Sequence, residues 1–147
     1  MEIESLNKTW FVDVDGTILY HHSNNSLDEL IERYGSDSYK HETPIENSIN
    51  FFQSLPEDDV IIIATAREKR HIDHTLNVLE YIGMPFNQWI FELGCGPRIV
   101  VNDIKPPGSA GNSEPLQTAY GMNLERDHGI VDNITHYNFL KKVNSTK

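Results

Sequence analysis

The chain has 147 residues, and its 12 lysines and arginines stand against 22 aspartates and glutamates, a formal charge of −10 with histidine neutral. This length fits a single domain, 1–147, and a hydrophobic fraction of 38% with 10% aromatic residues is enough to fill its core, which excludes a disordered chain. The acid surplus argues against a protein that grips nucleic acid through its phosphates, and the single Cys95 excludes an internal disulfide framework or a multi-cysteine metal site. Two acids near the start, where a secretory signal carries basic residues, and the lack of any apolar run near ~18 residues predict a cytoplasmic protein with no membrane contact.

In chain order, residues 9–14 (TWFVDV) form a short apolar run ending at Asp15-Gly16-Thr17, the pattern of a buried strand entering a tight turn. Residues 20–42 are polar and irregular, with a short helix predicted over 26–34. Thr43-Pro44-Ile45-Glu46 carries the marks of a helix start: Thr43 as N-cap, Pro44 in the first helical position and Glu46 as capping-box partner. Ile45, Ile49, Phe52 and Leu55 then give one apolar face, ended by Pro56. Residues 60–64 (VIIIA) are the most apolar run and read as a central parallel strand buried on both faces. A helix follows with Ile72, Leu76, Leu79 and Ile82 on one face and Gly83 as C-cap. Residues 88–93 and 98–102 (RIVVN) supply two more strands, 106–112 a loop, 118–124 a strand or short helix, and 134–143 a closing helix before a weakly ordered tail. Strands alternating with helices predict an α/β fold: a three-layer, Rossmann-like, mostly parallel sheet with helices on both faces.

Three of the predicted strands finish at a polar residue: Asp13, Thr65 and Asp103. Open parallel sheets bind ligands just beyond the carboxyl ends of their strands, so these residues converge on one candidate site. Asp13 and Asp15 offer two carboxylates, Gly16 relieves the turn, Thr65 offers a hydroxyl to a phosphoryl oxygen, and Asp103 can join Asp13 in holding Mg²⁺, which takes one or two carboxylates plus waters and substrate oxygens.

The order of these motifs resembles the haloacid dehalogenase-like superfamily of phosphatases. Phe11-Val12-Asp13-Val14-Asp15-Gly16-Thr17 matches its first motif, residues 60–65 continuing into Ala66-Arg67 match the second, and residues 98–103 match the fourth. Residues 95–99 and 102–106 are further similar to small capless members linked to lipopolysaccharide or capsule biosynthesis. The resemblance implies that Asp13 is the nucleophile that becomes an aspartyl-phosphate. It implies that Asp15 protonates the leaving oxygen, then activates water, and lends its backbone carbonyl to the metal. Thr65 would orient the phosphoryl group, Gly16, Thr17, Ala66, Arg67 and Lys105 would lie against substrate, and Asp13, Asp15 and Asp103 would hold Mg²⁺.

Two departures stand out. The family's third motif is a lysine or arginine, yet Arg98 is the only cation between residues 82 and 103, with Arg67, Lys69 and Arg70 as earlier candidates. The neighbour of Asp103 is Asn102, which adds no negative charge. Lys69, Arg70 and His74 read as a solvated helix face, His21 and His22 as exposed loop histidines, and Gly94-Cys95-Gly96 as a backbone turn. Residues 20–42 leave room only for a flap or small lid, so the site would be closed by a macromolecular substrate or by a neighbouring copy in a homo-oligomer. The reading is an Mg²⁺-dependent phosphomonoester hydrolase acting on a sugar phosphate or related small phosphorylated metabolite. The alternatives are a degenerate relative that binds a phosphorylated ligand without hydrolysis and, ranked last on charge, a nucleic-acid 3′-phosphatase.

Overall fold

A computed structural model describes residues 6–131. Its centre is a three-stranded parallel sheet of β1 (Thr9–Val12), β2 (Val60–Ala64) and β3 (Gln88–Ile90) in the order β1-β2-β3. Helices α1 (Asn24–Tyr34) and α2 (Glu46–Gln53) lie between the first two strands, and α3 (Ile72–Ile82) lies between the second and third. The α/β class with a parallel sheet therefore holds. None of these helices is long and apolar enough to cross a membrane.

Trp10 pairs with Ile61, Phe11 with Ile62 and Val12 with Ile63. Because side chains alternate across a strand, Trp10, Val12, Ile61 and Ile63 share one face of the sheet. That face packs against Ile49 and Phe52 of α2 and Val78 and Leu79 of α3 in one cluster. Phe11 lies on the opposite face and is 56% exposed. Where the sequence predicts helices on both faces, α2 and α3 thus share one. The reason is topological: both crossovers step the same way along the sheet, and crossovers of one hand then bring their helices to the same side. Trp10 adds edge-on contacts to Phe51 and Phe52, and its indole N–H donates to Asp59 at 3.0 Å.

Local boundaries differ from the sequence reading for identifiable reasons. Helix α1 starts earlier than predicted, since the Ser23 hydroxyl accepts the Ser26 N–H at 3.1 Å and caps it. No capping box forms at Thr43: α2 begins at Glu46 with Ile45 as N-cap and no side-chain cap bond. Residues 43–45 are instead drawn alongside the first loop, the Thr43 carbonyl accepting from Tyr20 at 3.0 Å and Ile45 N–H donating to Ile18 at 2.9 Å. Between α1 and α2 lies a 3-10 segment, Gly35–His41. Helix α3 ends at Gly83 as predicted, in a left-handed cap, but its buried residues are His74, Thr75, Val78 and Leu79, a stripe rotated from the predicted one toward polar partners described below.

The strand predicted over 88–93 stops at Ile90, because Glu92 takes a positive φ and donates its N–H to the Arg67 carbonyl at 2.9 Å. Residues 98–102 form no strand: Ile99 is 82% and Val101 92% exposed. β-propensity expresses fit to a half-buried ladder, and no described strand lies alongside to supply one. Residues 118–124 take neither strand nor helix. The loop at 106–112 is present, closed by Gly108 N–H on the Asn112 carbonyl at 2.8 Å. The predicted helix at 134–143 lies outside the described residues.

Residues 126–130 return to the first loop. Asp127 N–H donates to Gly16 at 2.9 Å, its carboxylate accepts from His21 N–H at 2.9 Å, and Ile130 enters the core. Gly129, at φ +70°, is wedged against α2: a Cβ there would overlap Asn47 and come within 2.6 Å of Ile45 and 2.7 Å of Ser48. A left-handed conformation and a close wall of side chains from Ile45, Asn47 and Ser48 both oppose any side chain there. Gly129→Ala is therefore expected to lower the unfolding free energy by about 2 kcal/mol or more. Urea denaturation monitored by tryptophan fluorescence checks this, and an unchanged midpoint would contradict the packing.

Candidate active site at the carboxyl ends of the strands

The register that pairs Val12 with Ile63 brings the carboxyl ends of β1 and β2 to the same edge of the sheet, so residues 13–17 and 65–67 emerge side by side. The first loop is wound tightly: the N–H groups of Thr17, Ile18 and Leu19 all point to the Val14 carbonyl, at 3.2, 3.0 and 3.1 Å. Gly16 closes the turn at φ +85°, its N–H on the Leu19 carbonyl at 2.7 Å. A side chain at 16 would be strained and would meet the stem of Arg126 at 3.1 Å. Arg126 is exposed, and nothing in the sequence pattern marks it as a neighbour of this loop.

The two acids of the loop occupy different surroundings. Asp13 is half-open; its carboxylate accepts from Arg98 at 3.1 Å and from the Thr17 hydroxyl at 3.4 Å. Of the four cations considered for the third-motif role, Arg98 is the one in contact with Asp13. Lys69 instead meets Glu92, and Arg70 meets Asp28 and Glu68, all on the surface.

Asp15 is gripped by Arg67, whose Nε donates to one carboxylate oxygen at 3.0 Å and Nη2 to the other at 2.8 Å. Arg67 is only 1% exposed. Its remaining N–H groups go to Glu42, from Nη1 at 2.8 Å and Nη2 at 2.6 Å, and to the Thr75 hydroxyl at 3.0 Å. All five guanidinium donors are thereby used. Arg67 was expected against substrate; in this arrangement it has no N–H left to offer one, because two carboxylates and a hydroxyl have taken them. Burial works against the guanidinium charge, but Glu42 and Asp15 outweigh it and hold Arg67 protonated more firmly than an ordinary arginine.

Thr65 is buried, and its hydroxyl accepts the Arg67 N–H at 3.1 Å, which leaves its own proton to donate. Ala66 lies between them, half-buried. Lys105 is engaged through its backbone in a two-way bridge with Leu116, 2.9 Å each way. Asp103 is exposed, its N–H on the Asn102 side chain at 3.1 Å. Neither Lys105 nor Asp103 has a side-chain hydrogen bond or ion pair with Asp13, Asp15 or Thr65. Among the described residues no three His, Cys, Asp or Glu side chains are grouped closely enough to hold a metal ion. Asp13 and the Asp15 backbone carbonyl are hard oxygen donors of the kind Mg²⁺ prefers; Asp103 does not join them, since its segment forms no strand beside β1.

Sequence reasoning missed Glu42 and misread His74. Glu42 is buried in the polar stretch before α2, and no periodicity marks it. His74, taken for a solvated residue, is buried with Nε2 2.8 Å from Glu42 and Nδ1 2.9 Å from the Ser38 hydroxyl. The available signal was spacing: His71, His74, Thr75 and Val78 fall on one helical stripe, and polar groups on a buried stripe need buried partners. His71 is likewise buried, its two ring nitrogens 3.0 Å from Asn24 and 2.7 Å from Asp28. Hydrogen bonds from Arg70 and His71 hold Asp28 down at about 2. His22 is half-buried rather than exposed; its N–H donates to Asp15 at 3.2 Å and its ring meets Ser26 at 2.7 Å.

Burial pushes the Glu42 carboxyl upward, but hydrogen bonds from His74 and Arg67 outweigh it and hold the group at about 2, against an ordinary 4.5. A folded-state value below the unfolded one stabilises the fold fully above about pH 4.5 and is lost as pH falls through about 2. Thermal unfolding across that window should show a steep acid decline of about 3 kcal/mol attributable to this group. Glu42→Gln should be less stable at neutral pH, where one partner of a buried pair is lost, and flatter in acid. Parallel curves for the two proteins would contradict the assignment.

No protein-family model, no curated protein and no solved structure matches this chain.

Proposed function

We propose that this protein is an Mg²⁺-dependent phosphomonoester hydrolase of haloacid dehalogenase-like type, working through Asp13 on a small phosphorylated metabolite. The observation that carries the reading is the convergence of an open carboxylate, a held carboxylate and a strand-end hydroxyl at one edge of a parallel sheet: Asp13, Asp15 and Thr65. Such edges are where parallel α/β sheets bind their ligands. Asp13 is the better placed nucleophile, being half-open while Asp15 is tied to Arg67.

In the first step an oxygen of Asp13 attacks phosphorus and the bond to the alcohol oxygen breaks, giving an aspartyl-phosphate and the alcohol, with Asp15 supplying the proton. In the second, water attacks the same phosphorus, its proton passes to Asp15, and Asp13 is released with inorganic phosphate. Arg98 meets the negative charge gathered at Asp13, and the Thr65 hydroxyl donates to a phosphoryl oxygen. Mg²⁺ held by Asp13 and the Asp15 carbonyl would neutralise charge between an anionic nucleophile and an anionic substrate. The separation of Asp103 from these donors favours a second reading, a protein that binds a phosphorylated ligand without turning it over.

A screen of phosphorylated metabolites and p-nitrophenyl phosphate with Mg²⁺ is expected to release phosphate, with chelation by EDTA abolishing release. Asp13→Asn is expected to lower turnover by at least about 10³-fold, the scale of losing a covalent nucleophile. Activity retained in Asp13→Asn would refute the mechanism, and binding with no phosphate release at any Mg²⁺ concentration would establish the second reading.

A further inference from the structure

We infer that Glu42 and His74, which touch no reacting atom, are positioning residues for Asp15, acting through Arg67 to hold it as the base of the water-attack step. The inference rests on reading Asp15 as the proton carrier of a phosphatase.

The relay is continuous and buried. The His74 Nε2–H donates to Glu42, since a carboxylate has no proton to give; the bond is 2.8 Å. Glu42 accepts two Arg67 N–H groups at 2.6 and 2.8 Å, and Arg67 passes two others to the two oxygens of Asp15. A guanidinium is planar, so fixing one edge against Glu42 fixes the direction of the edge that meets Asp15. The Thr75 hydroxyl occupies the fifth donor and removes the remaining freedom of the plane. No buried polar side-chain atom of the described residues lacks a partner, so no member can turn without leaving one.

The chemical consequence is specific. One Asp15 oxygen accepts from both Arg67 and the His22 N–H, whereas the other accepts from Arg67 Nε alone. Both oxygens are thereby fixed in direction, and the second, with a single donor on it, is the one left free to meet a water. That fixed orientation is what the water-attack step requires of it. The 3-10 segment Gly35–His41, through Ser38 on His74, and the adjoining Glu42 thereby bear on the geometry of Asp15 through Arg67.

The test uses the whole chain with Mg²⁺ and p-nitrophenyl phosphate, whose leaving group needs little protonation. His74→Ala and Glu42→Gln are expected to lower kcat by about 10–100-fold, within the range of general-base effects, while kcat/KM, which reports formation of the aspartyl-phosphate, changes by less than about threefold. Hydroxylamine-sensitive phosphoenzyme should accumulate in both variants, and His74→Gln, which restores an N–H toward Glu42, should recover most of the loss. A merely structural role predicts kcat and kcat/KM falling together without trapped phosphoenzyme, and that result, or unchanged kinetics, would overturn the inference. The 13Cγ resonance of Asp15, assigned by its absence in Asp15→Asn, gives a readout that needs no turnover. It should move in His74→Ala while that of Asp13 stays, and a stationary Asp15 signal would overturn the positioning role whether or not the wild type releases phosphate. A wild type that hydrolyses nothing, with Asp15 still moved, would instead overturn the phosphatase reading.

Discussion

One guanidinium shared by two carboxylates organises the candidate site. Arg67 leaves the end of β2 and turns into the interior, where Glu42 comes from the segment before α2 and Asp15 from the loop after β1. Without that cation two negative charges would be brought together out of water, which a fold does not tolerate. Without either carboxylate the guanidinium would be buried with open donors. Each group is therefore the condition for the others, and three chain segments far apart in sequence are locked in one geometry.

This lock separates the two acids of the loop. They lie two residues apart, yet Asp15 is drawn inward by Arg67 while Asp13 remains open beside Arg98 and Thr17. Different surroundings for paired carboxylates are how one loop can supply both a nucleophile and a proton carrier. The tight winding about the Val14 carbonyl makes the separation possible, because it reverses the chain within a few residues and turns the two side chains in different directions. The return of residues 126–130, with Gly129 pressed on α2, braces the loop from outside.

Away from the site the sheet is lopsided. Helices α2 and α3 share the Ile61 and Ile63 face, and Phe11 marks the other, open side. The exposed apolar run at 98–102 shows the same point from the chain's side: Ile99, Val100 and Val101 have the composition of a strand but no ladder in which to express it.

The sequence by itself determined the elements whose formation is local. The cap at Gly83 and the carboxylate turn at residues 13–17 depend on neighbours in the chain, while the apolar run at 60–64 marks a strand that β1 and β3 then complete, and each is found where the residues place it. Arg98 was legible as the one cation of its segment, and it meets Asp13. Where Glu42 and His74 lie, which way Arg67 faces, how α3 is rotated and whether 98–102 finds a ladder were decided only by the tertiary structure. Those outcomes depend on which charges and apolar faces remain unpaired when distant segments meet, and a buried charge takes the partner that packing brings to it, however far away in the chain. Thus His74, which read as solvated alongside Lys69 and Arg70, became in three dimensions part of the support of the catalytic candidate.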